Sequence, residues 1–251
     1  MTRTTMATWV VGDIHGCAEE LARLLEHLQL GPADRLVSVG DLFHRGPDPA
    51  GVMDLMREHR VPFVLGNHEL VVLRRIGVAP TSLAPDDRPP LRTHFPDLDE
   101  DDLDGDGHTP CRVDPPRRAE VLEFLQTHSG FFLRHSDIAG AQVTHDGRPW
   151  CILHAGRVPG VELERSSIRD LTSLRRLTGR GNPWWYESYV GPELVLFGHT
   201  PSQLPRVHSL RGRPVAIGLD TGCVYGGKLT AYSPELDELR SVKAARAYVQ
   251  A

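Results

Sequence analysis

The first seventy residues contain three short apolar stretches, each of which ends at a glycine that is followed directly by polar residues. This feature constrains the fold more than any other. The stretches cover residues 7–11, 35–39 and 61–65. They are separated by segments 19–28 and 50–58, in which leucine, valine and methionine recur at helical spacing. Strand, helix, strand, helix and strand with short joints is typical of a parallel sheet with right-handed crossovers. The sequence therefore predicts an α/β fold.

The remainder of the chain shows further strand and helix patterns around one irregular segment. Residues 79–116 are rich in proline and aspartate and have little periodicity, so we expect an insertion or flap there. Helical patterns flank this segment at 69–76 and 119–126. Later strands are predicted at 131–134, 142–145, 150–153, 194–197, 215–219 and 229–232. No internal repeat or linker divides the chain, and we predict one domain over residues 1–251.

The composition is that of an ordinary globular protein and argues against several classes of function. The 251 residues include 28 Lys and Arg and 33 Asp and Glu, a net charge of −5, which disfavours a nucleic-acid-binding surface. No apolar run approaches the ~20 residues of a membrane helix, and residues 1–11 lack the apolar core of a secretory signal. The four cysteines form no CxxC pair, which is typical of a reducing compartment. We expect a cytoplasmic protein with no membrane partner.

Five predicted strands end in polar side chains that suit a metal centre. In an open parallel sheet the carboxyl ends of the strands line one crevice, so these side chains are expected to converge. They are Asp13, His15, Asp41, Asn67, His154 and His199. Carboxylate, imidazole and amide oxygen without thiolate suit manganese, with iron, zinc, cobalt and nickel as alternatives. One ion cannot easily use six protein ligands and keep a reactive position open, whereas two ions that share the Asp41 carboxylate can.

Residues beside these clusters have the chemistry to act on a phosphate. Arg45 carries the planar guanidinium that matches phosphate oxygens, and His68 can protonate a leaving group near neutral pH. A second arginine is expected shortly before the strand at 194–197, where the candidates are Arg175, Arg176 and Arg180, and we favour Arg180. The predicted substrate-binding residues are therefore Arg45, Asn67 and Arg180. The predicted catalytic residues are His68 and Arg45.

Two further features have more ordinary interpretations. Glu69 follows the Asn67 cluster and is better explained as a partner of the site residues, or as an acid at a helix start, than as a catalyst. The run Trp184-Trp185-Tyr186 could stack on a nucleobase, but such a run is more often part of a core or its rim.

The motifs at the ends of the strands match those of a known family. The sequence contains Gly-Asp-Ile-His-Gly at 12–16, Gly-Asp-Leu-Phe-His-Arg-Gly at 40–46 and Gly-Asn-His-Glu at 66–69, and His154 and His199 follow in the expected order. The chain thereby resembles the calcineurin-like metallophosphoesterases. The resemblance covers roughly residues 8–75 and 150–232.

The resemblance implies a fold and a role for each residue. The fold would be a four-layer α/β/β/α sandwich that holds two divalent metal ions. Asp13 and His15 would bind the first ion, and Asp41 would bridge the two. The second ion would be held by Asn67, His154 and His199. In the same family pattern Arg45 would bind phosphate and His68 would protonate the leaving group.

The nearest resemblance within the family is to the branch of protein serine/threonine phosphatases and bacterial dinucleoside tetraphosphatases. His-Ala-Gly at 154–156, Gly-His-Thr-Pro at 198–201 and the segment 219–231 favour the tetraphosphatase side. One departure supports that choice: His44 occupies the position at which the protein phosphatases have an aspartate that orients the acid histidine. Because a nucleotide phosphate leaves with less acid assistance than a serine alkoxide, His44 favours anhydride or activated-ester substrates.

The sequence therefore predicts a metal-dependent phosphohydrolase in which metal-activated hydroxide attacks phosphorus without a covalent intermediate. A dinucleoside polyphosphate is the favoured substrate. The first alternative is a protein serine/threonine or tyrosine phosphatase, and the expected partner is accordingly a phosphorylated nucleotide or a phosphoprotein. A non-catalytic binding module with the same fold is a further alternative, which the complete set of six metal-binding positions disfavours.

Overall fold

The computed structural model describes residues 6–70, 120, 123–125 and 129–250, and these contain two β-sheets and three complete α-helices, with further helical residues at 67–70, 120 and 123–125. The first sheet contains β1 (Thr8–Val11), β2 (Arg35–Ser38), β3 (Phe63–Val64), β4 (Ser129–Gly130), β10 (Lys228–Ser233) and β11 (Glu238–Lys243). The second contains β5 (Phe132–Arg134), β6 (Trp150–Leu153), β7 (Leu194–Phe197), β8 (Arg206–Leu210) and β9 (Arg213–Gly218). The helices are α1 (Ala18–Leu28), α2 (Pro49–Glu58) and α3 (Ile168–Ser173).

Each sheet has a parallel centre with antiparallel strands at an edge. The order in the first sheet is β11-β10-β1-β2-β3-β4, with β1 to β4 parallel to their neighbours and β10 antiparallel to β1. The order in the second is β5-β6-β7-β9-β8, in which β6, β7 and β9 are parallel. The parallel strands of each sheet therefore point their carboxyl ends the same way.

Alternate residues of the central strands form the core between the two sheets. Val10, Val37 and Val64 of the first sheet belong to the same buried cluster as Ile152 and Leu196 of the second. The intervening residues of these strands face away from that cluster, because successive side chains of a strand point to opposite faces. Burial on both faces explains why these strands have continuous apolar sequences.

Helices cover the outer faces of both sheets. The apolar side of α1, which includes Leu21 and Leu24, is buried in the same core cluster as Trp9 of β1. On the second sheet, Ile168 and Leu171 of α3 belong to the same buried cluster as Phe197 of β7. The four-layer α/β/β/α sandwich and the α/β class are thus confirmed.

Most of the predicted elements within the described residues are present, and one is wrong. Residues 142–145 form no strand; instead, the Thr144 hydroxyl accepts the backbone N–H of Arg148 at 2.9 Å and fixes a turn. Strands β4, β8 and β11 and helix α3 were not predicted. The proposed flap at 79–116 lies outside the described residues, as do most of the predicted helices at 69–76 and 119–126. Among the described helices none is long and apolar enough to cross a membrane.

Candidate metal centre

The six predicted metal-binding residues lie just beyond the carboxyl ends of parallel strands. Asp13 and His15 follow β1, Asp41 follows β2 and Asn67 follows β3. From the second sheet, His154 follows β6 directly and His199 lies two residues beyond β7. The two sheets thus bring five segments together at one edge of the sandwich.

Two glycines allow carboxylates of the site to approach the backbone of neighbouring loops. A Cβ atom at Gly66 would collide with the Asp41 carboxylate, and one at Gly198 would collide with the carboxylate of Asp13. Gly66 lies two residues after β3, and Gly198 directly follows β7. Glycine is required at both positions because a carboxylate of the site packs against its backbone.

Four residues of this region have left-handed backbone conformations. The φ angles are 50° for His15, 53° for Asp41, 76° for Arg45 and 67° for His199. Residues other than glycine adopt such angles rarely, at a conformational cost that surrounding contacts must offset. Clusters of such residues occur at functional sites because the strained backbone aims side chains where regular structure would not.

The buried Asp41 carboxylate is the hub of the site. Its Oδ2 atom lies 3.3 Å from His154 Nε2, 3.7 Å from His15 Nε2 and 3.9 Å from His68 Nε2. Its Oδ1 accepts the backbone N–H of His68 at 3.1 Å. A single carboxylate thus faces three imidazoles, which is the placement that a bridging metal ligand needs.

Asn67 joins the loops of the two sheets through its side-chain oxygen. Asn67 Oδ1 lies 3.1 Å from His154 Nε2 and 3.0 Å from His199 Nδ1. The ligand atoms of Asp41, His154 and His199 lie within 4.8 Å of one another. These four residues, which the sequence predicts to hold the second ion, are therefore brought together.

The orientation of His154 is fixed by a hydrogen bond on the far side of its ring. His154 Nδ1 lies 2.8 Å from the carbonyl oxygen of Val39, so Nδ1 carries the proton and Nε2 faces the site. Burial alone lowers the pKa of this imidazole, but the Asp41 carboxylate outweighs burial and raises the pKa to about 10. In the metal-free chain His154 is therefore charged and paired with Asp41, where a cation would replace its proton.

Asp13 lies among other acidic groups at the edge of the site. Its two oxygens accept the backbone N–H of His199 at 3.2 and 3.0 Å. Burial raises the pKa of Asp13 well above its ordinary value, and nearby Asp220 and Asp41 raise it further. Asp220 is itself buried, with a pKa that burial raises to about 6. The neighbouring buried carboxyl groups of Asp13, Asp41 and Asp220 are therefore suited to a site where a cation would offset their charge.

His68, Arg45 and His15 lie next to one another at the opposite side of Asp41. The His15 and His68 rings meet edge to face, 4.8 Å apart, and Arg45 Nη1 lies 3.3 Å from His15 Nε2. His44 Nδ1 lies 2.6 Å from His68 Nδ1. Burial lowers the pKa of His15 to about 3 and also lowers the pKa of His68. His15 is therefore neutral and has an electron pair for a cation.

Glu69 supports the loop that carries Asp41. Its Oε2 accepts the backbone N–H groups of Asp41 and Gly66 at 2.8 and 2.9 Å, and its Oε1 accepts that of Leu42 at 2.8 Å. Burial, and then the charge of Asp41, raise the pKa of Glu69 to about 7. This geometry agrees with the interpretation of Glu69 as a partner of the site residues.

The arginines between α3 and β7 occupy three different environments. Arg175 reaches the site, because its Nη2 donates to the carbonyl oxygen of His199 at 3.2 Å. The guanidinium of Arg176 stacks over the Trp184 ring at 3.9 Å. Arg180 is exposed in a turn between Gly179 and Gly181, and its role in substrate binding stays a prediction. The sequence named Arg175 as a candidate but favoured Arg180, because the contact of Arg175 with His199 depends on the folded chain.

The aromatic run at 184–186 contributes mainly to the core. Trp185 and Tyr186 are buried and contact Phe197, while Trp184 lies between the guanidinium groups of Arg176 and Arg206. Packing is thus the better interpretation of this run.

The residues present fit a pair of divalent cations. The converging ligand atoms are carboxylate, imidazole and amide groups without sulfur, and His15 Nδ1 is buried without a hydrogen bond to any described residue. Sequence reasoning overlooked Asp220 as an acid near the site, although it lies inside the segment 219–231 that carried part of the resemblance. Its position directly after Leu219, at the end of a buried strand, was the available signal.

Comparisons with known proteins agree with this geometry. The family model for calcineurin-like phosphoesterases matches residues 6–213. The symmetrical bis(5'-nucleosyl)-tetraphosphatase of Methylobacillus flagellatus is 30% identical, over 90% of this chain and 91% of that protein. Serine/threonine-protein phosphatase 1 of Salmonella typhimurium is 29% identical, over 88% of this chain and 89% of that protein.

A solved structure agrees over the full length. A protein provisionally named a diadenosine tetraphosphatase superposes with a TM-score of 0.69 and 26% identity, over 97% of this chain and 96% of that chain.

Proposed function

The chain belongs to the calcineurin-like phosphoesterase family and is a phosphohydrolase, and from this premise we propose that it hydrolyses dinucleoside polyphosphates at a two-metal centre. The observation that carries the proposal is the convergence of ligand atoms around two oxygens. Asp41 Oδ2 faces the Nε2 atoms of His15 and His154, and Asn67 Oδ1 faces His154 and His199.

The ligands divide into two groups that share Asp41. Asp13 and His15 would hold one ion, Asp41 would bridge, and the other ion would be held by Asn67, His154 and His199. Manganese is the favoured metal, because the donor set lacks the thiolates that select softer ions. When bound, the two ions lower the pKa of a water molecule and offset charge on the phosphate.

The chain's own residues bind the phosphate and supply the proton for departure. Arg45 carries a permanent positive charge next to His15, and its guanidinium can bind two phosphate oxygens. Arg175, which contacts the backbone of His199, and Arg180 are the candidates for a second contact. His68 would donate a proton from Nε2 to the leaving oxygen, while His44 holds the Nδ1 side of its ring. Because burial lowers the pKa of His68, only a minor fraction of this imidazole is protonated at neutral pH, and acid assistance is weak.

The environment of His68 supports a substrate with a good leaving group. The group beside His68 Nδ1 is an imidazole and not a carboxylate. An imidazole stabilises the protonated form of His68 less than a carboxylate does. A nucleotide phosphate needs little protonation to depart, so anhydride hydrolysis tolerates this arrangement better than hydrolysis of a serine phosphate.

A protein phosphatase is the second candidate function. The observation in its favour is the 29% identity with serine/threonine-protein phosphatase 1 of Salmonella typhimurium. The same ligands would serve both reactions, and the two candidates differ in the leaving group.

A turnover panel with the Mn²⁺-loaded protein tests the proposal. The substrates are diadenosine tetraphosphate, a nucleoside triphosphate, an aryl phosphate and a phosphoserine peptide, each with wild type and with His154→Ala. We expect the highest kcat/KM for the dinucleotide and loss of all activity in the variant. A higher kcat/KM for the phosphopeptide would instead favour the protein phosphatase. Folded, Mn²⁺-loaded protein that hydrolyses none of the four would contradict both candidates.

A further inference from the structure

A second group of metal-binding side chains is buried next to α1. It consists of Cys17 at the start of that helix, Glu20 in its first turn and Cys223 in the loop between β9 and β10. The two sulfurs and one carboxylate oxygen lie within 4.8 Å of one another. The three residues are 0%, 0% and 2% exposed, so water does not solvate these groups.

The Glu20 carboxylate has one satisfied oxygen and one that is not. Oε1 accepts the backbone N–H of Ala245 and the hydroxyl of Tyr248, each at 2.9 Å, and Arg23 Nη2 lies 3.3 Å away. Oε2 is buried and accepts no hydrogen bond from the described residues. A buried carboxylate oxygen without a donor costs free energy unless a cation or a proton compensates it. The remaining oxygen of Glu20 is therefore suited to a positive ligand.

Two sulfurs and a carboxylate oxygen select a particular class of cation. Thiolates favour zinc and similar ions over magnesium or manganese. In a tetrahedral zinc site with Zn–S bonds of ~2.3 Å, the donor atoms lie roughly 3.5–4 Å apart. The spacing here needs shifts of no more than about 1 Å to reach that geometry, which side-chain rotation can supply.

We propose that Cys17, Glu20 and Cys223 form a separate site for a thiophilic divalent cation, with zinc as the favoured ion. This site differs from the candidate metal centre in its sulfur donors, and it shares none of that centre's ligands. The inference does not depend on the proposed function.

The cation would connect three parts of the chain. Cys17 lies two residues after His15, and its thiol donates to the His15 carbonyl oxygen at 3.8 Å. Cys223 belongs to the loop that also contains Asp220, and Glu20 binds the backbone at Ala245. A cation here would hold the loops after β1 and β9 against α1 and the segment after β11. A structural metal of this kind contributes to folding free energy directly.

An alternative for the same sulfurs is a disulfide between Cys17 and Cys223. Both cysteines are free thiols in the structure. A disulfide would leave Glu20 Oε2 without a partner, whereas a cation would satisfy it. The position of Glu20 therefore favours the cation.

Cobalt absorption spectroscopy tests the proposal with the full-length protein. The protein is produced in minimal medium with Co²⁺, dialysed, and recorded in the near ultraviolet, where sulfur-to-cobalt charge transfer absorbs strongly. The candidate metal centre has only oxygen and nitrogen donors and gives no such band. We expect the band in wild type and its loss when Zn²⁺ is added in excess.

Three variants and one control assign the band. Cys17→Ser and Cys223→Ser are each expected to reduce its intensity by about half or more, since each removes one thiolate. Glu20→Gln keeps the side-chain shape and is expected to weaken Co²⁺ binding by at least about tenfold. Cys151→Ala removes a buried cysteine of β6 outside the cluster and is expected to leave the band unchanged.

Several results would overturn the proposal. One is folded wild-type protein that shows no charge-transfer band with excess Co²⁺, a result that needs no variant. A band that survives in the double variant Cys17→Ser/Cys223→Ser would place the sulfur ligands elsewhere. Absence of the band together with a mass lower by two hydrogen atoms under non-reducing conditions would identify a disulfide pair instead.

Discussion

The Nδ1 atoms of His44 and His68 lie 2.6 Å apart, so one imidazole donates a hydrogen bond to the other. Both rings are buried, at 4% and 8% exposure. The hydrogen bond holds the His68 ring with its Nε2 toward Asp41, at 3.9 Å from Oδ2. His44 thus orients the His68 ring, as an aspartate at this position would, but it supplies no negative charge.

Replacing His44 by aspartate is expected to change the preference for leaving groups. A carboxylate at this position raises the pKa of His68 and favours its protonated form. We expect kcat for a phosphoserine peptide to rise about tenfold in His44→Asp, because acid catalysis contributes ~10²–10⁴-fold when a poor leaving group departs. Diadenosine tetraphosphate turnover is expected to change by less than about threefold. Parallel steady-state assays of the two substrates measure the ratio.

The matched controls for this experiment are two alanine variants. His68→Ala is expected to slow the phosphopeptide reaction more than the dinucleotide reaction, whereas His27→Ala, at an exposed position of α1, is expected to change neither. An equal effect of His44→Asp on both substrates would show that residue 44 does not influence protonation of the leaving group.

The shared position of Asp41 predicts that a conservative change there removes both metals. Asp41→Asn keeps the shape of the side chain but removes the charge that faces His15 and His154. We expect kcat/KM to fall by at least about 100-fold and the bound manganese, measured by atomic emission after dialysis, to fall with it. Chelation of wild type should abolish turnover, and added Mn²⁺ should restore it. Retention of full activity by the variant would contradict the bridging role of Asp41.

The central part of the fold could be predicted because burial on two faces leaves a strong signal. Strands β1, β2 and β6 are continuous apolar runs that end at polar loops, and their ends were predicted to within a residue. The strand β11, by contrast, is largely exposed, with the sequence Glu-Leu-Arg-Ser-Val-Lys. It forms through pairing with β10, which is a tertiary contact that local sequence does not encode.

The part of the candidate site that depends on residue type and spacing could be predicted from the sequence. The part that depends on distances between remote segments of the folded chain could not. The convergence of the six positions predicted to bind metal could be foreseen because each follows a strand that ends at the same edge. The sequence favoured Arg180 for its position before Gly181, but only the folded chain shows that Arg175 contacts the backbone of His199. The wrong strand at 142–145 has a similar cause, because its alternation of residues is overridden by side-chain hydrogen bonds to the backbone.

The two arginines can be separated by their effects on substrate binding. Arg175 donates to the His199 carbonyl oxygen, so its charge lies near the candidate metal centre. We expect Arg175→Ala to raise KM for diadenosine tetraphosphate by about tenfold, since a charged hydrogen bond contributes about 1.5–3 kcal/mol. Arg180→Ala is measured beside it, and a larger rise in that variant would support the assignment made from the sequence alone. Arg169→Ala, in α3, serves as the control.

The turn that replaces the strand predicted at 142–145 has a testable dependence on pH. Asp146 accepts the Thr144 hydroxyl at 2.6 Å and Arg148 Nε at 2.9 Å. The Thr144 hydrogen bond, followed by Arg148, lowers the pKa of Asp146 from 3.8 to about 2. Because the pKa in the folded chain is below that in the unfolded chain, the charged carboxylate stabilises the fold fully above about pH 4. This contribution is lost as the pH falls toward 2.

Asp146→Asn should therefore lower the free energy of unfolding at pH 7 by about 1–2 kcal/mol. This loss is smaller than the ~1.5–3 kcal/mol of a hydrogen bond to a charged group, because the amide oxygen of asparagine can still accept. Urea titrations at several pH values between 7 and 3 measure the difference between wild type and variant. That difference should be constant down to about pH 4 and then narrow. Protonation of Asp146 in wild type removes the negative charge that the asparagine variant lacks at every pH. Glu26→Gln, at an exposed position of α1, should show no such narrowing. A difference for Asp146→Asn that stays the same at pH 3 would mean that the carboxylate charge does not stabilise this turn.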